Sequence, residues 1–220
     1  MKRIVMMVLR NLIFVPYGWI KLCYYARHVD KYTEEERYRL LKYIDSKANK
    51  GGSVHIEAHG VENIPKENGF MFFPNHQGMY DVLAIMDVCP VPISVVAKKE
   101  VANIQFLKQV FACTKAYMID REDVRQAMQV IMNVAKEVKA GRNYIIFPEG
   151  TRSRNGNKIG TFKGGSSISL AMGLKQKGIK EKVYTIDNYE HFTYEDDAQE
   201  DEEGDWGLNG KMRTAFLENV

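Results

Sequence analysis

Residues 70–81 read FMFFPNHQGMYD, an apolar run followed at once by a polar turn. The run comes after the turn signal Asn68-Gly69, and a short apolar stretch between turn residues predicts a buried strand. The polar residues that follow then lie at the carboxyl end of this strand. The segment therefore predicts a strand, a turn that carries functional groups, and a helix with Asp81 in its first turn.

Strand and helix patterns alternate on both sides of this segment. Before it, a capping box begins a helix at Thr33, which ends at Lys50-Gly51-Gly52, and residues 54–58 alternate as a half-exposed strand. After it, the pattern predicts strands at 93–97, 116–119 and 144–147 and helices at 104–110 and 127–138, the second closed by Gly141. This order predicts an α/β fold, a mostly parallel sheet flanked by helices.

The length of 220 residues suits one catalytic domain with short additions. We expect membrane-associated helices over 1–50, the catalytic domain over 51–194 and an acidic tail over 195–220. The tail is poor in aliphatic residues, which favours a flexible segment over a final layer of the core.

The net charge of +3 hides an asymmetry along the chain. Residues 195–205 carry eight acidic side chains and no basic one, so the rest of the chain carries +11. A basic body indicates an anionic partner, either phosphate-bearing lipids or nucleic acid, between which charge alone does not choose. The three cysteines lack metal-ligand spacing and indicate neither a disulfide framework nor a zinc site, which favours a reducing cytoplasm.

The N-terminal segment mixes apolar, aromatic and basic residues. Its apolar stretches, 4–9 and 12–15, are interrupted by Arg10 and Asn11, so the segment is marginal for a membrane-spanning helix. Basic residues interleaved with tyrosines and Trp19 are typical of a helix at the headgroup boundary. We interpret it as an interfacial anchor on the cytoplasmic face of the membrane; a cleaved signal peptide and a buried core helix are the alternatives.

Polar residues follow three of the predicted strands, at 74–76, 120–121 and 148–152. Ligands of open α/β sheets bind beyond the carboxyl ends of the strands, where such residues converge. These three segments are therefore the candidate site.

His76 and Asp81 are the candidate catalytic pair. Five positions separate them, which on a continuous helix is about 140° of rotation, so their meeting requires a bend between strand and helix. A carboxylate bonded to one ring nitrogen fixes the tautomer, and the other nitrogen can then act as a general base on an alcohol. An isolated histidine and aspartate at this spacing more often have a structural role. The neighbouring motifs favour a catalytic role for this pair.

Residues 147–152, Phe-Pro-Glu-Gly-Thr-Arg, have the composition of a phosphate-binding loop. Gly150 permits close backbone approach, Thr151 supplies a hydroxyl, and Arg152 can grip phosphate oxygens. The alternative is a solvated polar turn. Glu149 does not suit a pure anion site and fits better as a partner of an arginine or of a substrate hydroxyl.

Residues 75–81 and 147–152 together resemble the first and third motifs of the glycerolipid acyltransferase family, which includes the 1-acylglycerol-3-phosphate acyltransferases. Residues 60–65 are similar to the lead-in to the first motif, and Lys98 with 117–121 is similar to the second. The resemblance covers roughly residues 54–172 in the family's order.

The resemblance implies that His76 is a general base on the acceptor hydroxyl, which attacks the thioester of acyl-CoA or acyl-carrier protein, and that Asp81 orients His76. It implies that the acceptor, lysophosphatidic acid or another glycerol-phosphate lipid, is held by further residues: Arg121, Glu149, Gly150, Thr151, Arg152 and Lys98. No metal or other cofactor is expected, and no nucleic-acid partner. Donors for the oxyanion are not identified; backbone amides near His76, and Lys98, are candidates.

The chain departs from the family after residue 172. The family has an apolar, proline-containing strand there, whereas residues 173–187 lack proline and carry charges at 180–182. A catalytically weak homologue is therefore an alternative to an active enzyme, whereas a lipase-like hydrolase is disfavoured because no Gly-x-Ser-x-Gly motif is present.

Overall fold

A computed structural model describes residues 2–78 and 80–152, with side chains from residue 4 onward, and the backbone of four later strands. The helices are α1 (Lys2–Arg10), α2 (Phe14–Arg27), α3 (Glu34–Gly52), α4 (Asp81–Val88), α5 (Gln105–Thr114) and α6 (Val124–Lys139). The strands are β1 (Ile56–Glu57), β2 (Met71–Pro74), β3 (Ser94–Lys98), β4 (Tyr117–Ile119), β5 (Tyr144–Ile145), β6 (Glu181–Tyr184), β7 (Phe192–Tyr194), β8 (Lys211–Met212) and β9 (Thr214–Asn219).

The main sheet has six strands in the order β4-β3-β5-β2-β9-β6. The four strands β4, β3, β5 and β2 are parallel to their neighbours, whereas β9 is antiparallel to β2 and β6 is antiparallel to β9. The carboxyl ends of the four parallel strands therefore share one edge, at which residues 75, 99, 120 and 146 follow. The predicted parallel sheet is confirmed.

Helices cover both faces of the parallel strands, because successive strand residues point to opposite faces. On one face Phe70, Phe72 and Val95 pack with residues of α2, α3, α4 and α5. On the other face Met71 and Val96 pack with the buried side of α6. Both faces are thus buried, which accounts for the nearly continuous apolar character of these strands.

The predicted elements before residue 152 are present, with changed bounds in several cases. Thr33 caps α3 with the predicted capping box, since its hydroxyl accepts the Glu36 N–H and the Glu36 carboxylate accepts the Thr33 N–H. The strand expected over 54–58 shortens to Ile56–Glu57, and the helix expected over 104–110 extends to Thr114.

Two strands, β8 and β9, lie within the segment that we predicted to be a flexible tail. β9 pairs with β2 over four residue pairs inside the main sheet, and β8 pairs with β7, which in turn pairs with β1. The short apolar run Ala215-Phe216-Leu217 is sufficient for such a strand. Residues 195–210 lie outside the described residues, as do 173–180, and the domain bounds stay predictions.

The N-terminal helices α1 and α2 are separated by a sharp bend. Within the described residues no single helix has the length and hydropathy needed to span a membrane, although the two segments Ile4–Arg10 and Phe14–Arg27, bent by 99°, pass that test as a pair. Leu22 of α2 is fully buried in the core beneath α3 and α5. The outer side of the segment instead exposes apolar side chains, including Leu12, Ile13 and Ile20.

Candidate active site

His76 lies in the turn between β2 and α4, at the carboxyl edge of the sheet. The turn bends the chain as the five-residue spacing requires. The Nδ1 atom of His76 lies 2.8 Å from Oδ2 of Asp81, the first residue of α4. The predicted pair is therefore formed in the structure.

The Asp81 carboxylate is completely buried and organises the turn around it. Besides the His76 ring, it accepts the backbone N–H of Gln77 at 2.8 Å and that of Gly78 at 3.0 Å. A buried carboxylate needs such donors, because removing its water shell without them is costly. These bonds fix the position from which Asp81 orients the imidazole.

The His76 ring is held from a second direction by Phe147. The two rings stack with their centroids 4.2 Å apart, and the His76 side chain keeps 22% of its surface exposed. With Nδ1 bonded to Asp81, the nitrogen left for a substrate is Nε2. The arrangement can therefore remove a proton from a hydroxyl group that approaches at the sheet edge.

Glu149 joins the two sequence motifs. Its side chain is only 3% exposed, and its Oε1 accepts the backbone N–H of His76 at 2.8 Å. In this structure it holds the catalytic turn against the loop after β5. Contact of Glu149 with a substrate stays a prediction.

Arg121 lies against the same loop. Gly150 has a φ of +67°, a conformation that favours glycine, and a Cβ atom there would stand 2.9 Å from a terminal nitrogen of Arg121. The predicted close approach at Gly150 is thus to an arginine of this chain. Thr151 and Arg152 follow on the exposed side of the loop, and their binding of phosphate stays a prediction.

Lys98 is placed at the end of β3, where it pairs with Glu100 at 2.8 Å and is about half exposed. The next residue, Lys99, pairs with Asp120. The structure gives Lys98 a surface ion pair instead of a contact with the catalytic turn, and its substrate role stays a prediction.

The backbone amides closest to His76 are not free to stabilise an oxyanion. The amides of His76, Gln77 and Gly78 all donate to carboxylates, the first to Glu149 and the other two to Asp81. The amides of residues 76–78 are therefore engaged in this structure, and the oxyanion donors stay unassigned. The role of these amides is to hold the two carboxylates in place.

Within the described part of the chain, no group of three or more His, Cys, Asp or Glu side chains is placed to hold a metal ion. The site consists of an imidazole, two buried carboxylates and arginine side chains beside a glycine loop. This set of groups suits proton transfer next to a phosphate-bearing acceptor.

Comparison with known sequences gives this site a family. The sequence model of the family described as Acyltransferase matches residues 55–184, which include every predicted site residue. The chain belongs to the acyltransferase family. The resemblance of residues 75–81 and 147–152 to acyltransferase motifs is confirmed.

Several members of the acyltransferase family are similar to this chain, and each is named 1-acyl-sn-glycerol-3-phosphate acyltransferase. The protein from Borreliella burgdorferi is 29% identical over 136 residues, which cover 62% of this chain and 54% of that protein. The protein from Helicobacter pylori is 34% identical over 43% of this chain and 40% of that protein. The protein from Salmonella typhimurium is 35% identical over 55% of this chain and 50% of that protein. The chain thus spans about half the length of the curated relatives it matches.

A solved structure shares the fold of this acyltransferase. It is the crystal structure of the 1-acyl-sn-glycerophosphate (LPA) acyltransferase PlsC from Thermotoga maritima, which matches with a TM-score of 0.50 and 23% identity. The match covers 76% of this chain and 71% of that chain. At this identity it supports the architecture alone.

Sequence reasoning missed three features of the acyltransferase site. The bond from the His76 amide to Glu149 joins residues 73 positions apart, and no local pattern predicts it. The stacking of Phe147 on His76 was equally hidden, although an aromatic residue at the end of a strand beside the site was a usable signal. The position of Arg121 against Gly150 could not be predicted without the strand order β4-β3-β5.

Proposed function

We propose that this acyltransferase moves a fatty acyl group from acyl-CoA or acyl-carrier protein to the free hydroxyl of lysophosphatidic acid, 1-acylglycerol 3-phosphate, in phospholipid biosynthesis. The observation that carries the proposal is the 2.8 Å contact between His76 Nδ1 and Asp81 Oδ2 beside the Glu149 loop. The names of the related proteins support the choice of acceptor.

In the proposed reaction the acceptor hydroxyl loses its proton to Nε2 of His76 as its oxygen attacks the thioester carbonyl carbon. Asp81 stabilises the imidazolium that forms, through the bond to Nδ1. The tetrahedral intermediate then collapses, the carbon–sulfur bond breaks, and the thiolate takes the proton from His76. An ester and a free thiol leave, and no acyl-enzyme intermediate is needed.

The loop after β5 is the proposed binding site for the phosphate end of the acceptor. Arg121 and the exposed Arg152 flank Gly150, and guanidinium groups bind phosphate oxygens in pairs of charge-assisted hydrogen bonds. The loop adjoins His76 through Glu149, so a bound phosphate would present its glycerol hydroxyl near the imidazole. This geometry supports a short glycerol-phosphate acceptor.

The test is an acceptor panel with the purified full chain. We expect thiol release from acyl-CoA or acyl-carrier protein to require lysophosphatidic acid, with phosphatidic acid as the product. Release that depends instead on glycerol 3-phosphate or another lysophospholipid would assign the alternative acceptor. Release without an acceptor would indicate a hydrolase, and no release in any combination would indicate a catalytically weak homologue.

We also propose that α1 and α2 bind the surface of the membrane at its cytoplasmic face. Residues 2–29 carry basic side chains and no acidic one, and the exposed side of this segment is rich in apolar and aromatic residues. Apolar side chains bordered by lysine and arginine suit the boundary of an anionic bilayer. α2 packs against α5, which begins beyond the carboxyl edge of the sheet, with Cys113 Sγ 3.9 Å from the Leu22 carbonyl oxygen.

A double substitution, Ile13→Asp with Ile20→Asp, should weaken binding to vesicles that contain anionic phospholipids. The two side chains are 95% and 68% exposed, so the change leaves the core intact. Loss of two buried apolar side chains from the bilayer, at about 1.5 kcal/mol or more each, predicts at least a tenfold lower partition coefficient. Sedimentation with vesicles measures it. Val124→Asp, at a 73% exposed position of α6, is the matched control, and equal loss in both variants would contradict the proposal.

A further inference from the structure

A cluster of buried polar side chains lies between α3 and the start of α4. It comprises Asp45 and Asn49, one helical turn apart on α3, and Tyr80, the residue before α4; all three are more than nine-tenths buried. The Tyr80 hydroxyl lies close enough to Asp45 to favour its charged form. The proposed reaction does not use any of these groups.

Three buried acceptor oxygens of the cluster have no donor in hydrogen-bond geometry within the described part of the chain. Neither carboxyl oxygen of Asp45, nor the side-chain oxygen of Asn49, is in hydrogen-bond geometry with a donor among the described residues. Of these oxygens, those of Asp45 lie near the Tyr80 hydroxyl. A proton on Asp45 would supply the missing donor, because a neutral carboxyl group donates as well as accepts.

Burial and a neighbouring carboxylate also favour the protonated form of Asp45. Burial, and then the nearby Asp87 of α4, raise the pKa of Asp45 to about 8, while Lys42 and the Tyr80 hydroxyl act in the opposite direction. Tyr38 faces the same carboxyl group from α3, and burial holds its own pKa above the usual value. Arg10, the charged group that α1 brings to α3, bonds to Gly51 and Ser53 at the far end of the helix.

Tyr80 connects this cluster to the catalytic turn. Its carbonyl oxygen accepts the Ala84 N–H in the first turn of α4, and its side chain packs with Ala84 under α3. The next residue is Asp81, which holds the His76 ring. A shift of the Tyr80 side chain would therefore move the carboxylate that orients the general base.

We propose that protonated Asp45 is a positioning residue for the catalytic pair, acting through Tyr80 on the start of α4. Loss of this proton places a second negative charge beside Asp87, loosens the contact between α3 and α4, and displaces Asp81 from His76. The inference rests on the proposed function for its kinetic consequence, whereas its structural consequence can be measured without turnover.

The kinetic test compares pH profiles of kcat for the wild type, Asp45→Asn and Asp87→Asn. We expect the wild-type kcat to fall reversibly above about pH 8, by up to tenfold per pH unit, with KM for the acceptor unchanged. Asp45→Asn, which keeps a donor and cannot ionise, should keep its kcat to about pH 9.5. Asp87→Asn removes the charge that raises the Asp45 pKa, so the decline should begin at lower pH.

Glu35→Gln is the matched control for these variants, since Glu35 is an exposed carboxylate on the same helix. It should keep the wild-type profile. An alkaline decline of the same midpoint in Asp45→Asn and in the wild type would overturn the proposal.

The structural test is hydrogen–deuterium exchange of the peptide that covers Gln77 and Gly78, whose amides donate to Asp81. After correction for the intrinsic pH dependence, protection should fall at least tenfold between pH 7 and pH 9.5 in the wild type and stay constant in Asp45→Asn. Protection that does not change with pH in either protein would overturn the inference even if transfer occurs. If no acyl transfer occurs but protection follows this pattern, the proposed function fails and the positioning role stands.

The folded state should also lose stability as pH rises. Between about pH 5 and pH 8 the unfolded chain has already lost the Asp45 proton while the folded chain keeps it, so the unfolding equilibrium constant should increase up to tenfold per pH unit from this group. Urea denaturation of Asp45→Asn should show a correspondingly smaller slope with pH. Equal slopes in the two proteins would contradict a retained proton.

Discussion

His76→Ala is expected to lower kcat for acyl transfer by about a thousandfold or more, because the reaction loses its general base. The His76 ring offers a basic nitrogen on a partly exposed side chain of the turn, since Nδ1 is engaged by Asp81 and Nε2 is left for the substrate. Steady-state rates with acyl-CoA and lysophosphatidic acid measure the loss. KM for the acceptor should change little, because its phosphate end is proposed to bind at the loop after β5.

The matched control for this variant is His59→Ala. His59 is about half exposed and pairs with Glu57 of β1, outside the catalytic turn. It should transfer acyl groups at the wild-type rate. His59→Ala should keep the wild-type thermal unfolding midpoint, whereas His76→Ala should fold with a lower midpoint, because the buried Asp81 carboxylate loses one of its donors. A His76→Ala enzyme that retains a tenth of the wild-type kcat would remove the assignment.

The sheet and the position of the site could be predicted from sequence because the signals are local. Short apolar runs mark β2, β4 and β5, and polar residues follow each of them at the edge where parallel strands end. The contact of His76 with Asp81 followed from spacing and chemical type. These predictions needed only the order of elements along the chain, which fixes the common edge once the strands are parallel.

The missed features depend on contacts between distant parts of the chain. β9 pairs with β2 across about 140 positions, and the few apolar residues of 215–217 were outweighed by the acidic stretch before them. From sequence, Glu149 was interpreted as a partner of an arginine or of a substrate hydroxyl, whereas in the fold it accepts the His76 amide. The burial of Asp45 was hidden as well, because α3 shows polar residues on several sides and only its packing against α4 reveals which side is enclosed.

The two carboxylates of the site have complementary tasks. Glu149 holds the main chain of His76, whereas Asp81 holds its ring and the two amides that follow. Together they accept hydrogen bonds from the backbone amides of residues 76–78, which a tetrahedral oxyanion could otherwise use. We therefore expect stabilisation of that oxyanion from donors other than the amides of residues 76–78, and Arg121 beside Gly150 and the exposed Arg152 are described cations at that loop.

Asp81→Asn is expected to lower kcat by about a thousandfold and to destabilise the fold more than His76→Ala does. The asparagine side chain keeps the shape of the carboxylate but carries no charge. Its nitrogen is a donor and cannot accept the backbone N–H groups that the completely buried Asp81 carboxylate accepts. Weakening these charge-assisted bonds should cost about 3 kcal/mol of the free energy of unfolding. Steady-state kinetics and urea denaturation measure the two effects.

The double variant His76→Ala with Asp81→Asn decides whether the two side chains act as one unit. If Asp81 works through the imidazole, its substitution removes nothing further once the ring is gone, so the double variant should have the residual kcat of His76→Ala within about threefold. Its free energy of unfolding should still fall, because the bonds from Gln77 and Gly78 are weakened in either background. Multiplication of the two kinetic losses would mean that Asp81 contributes to transfer by a route that does not pass through His76.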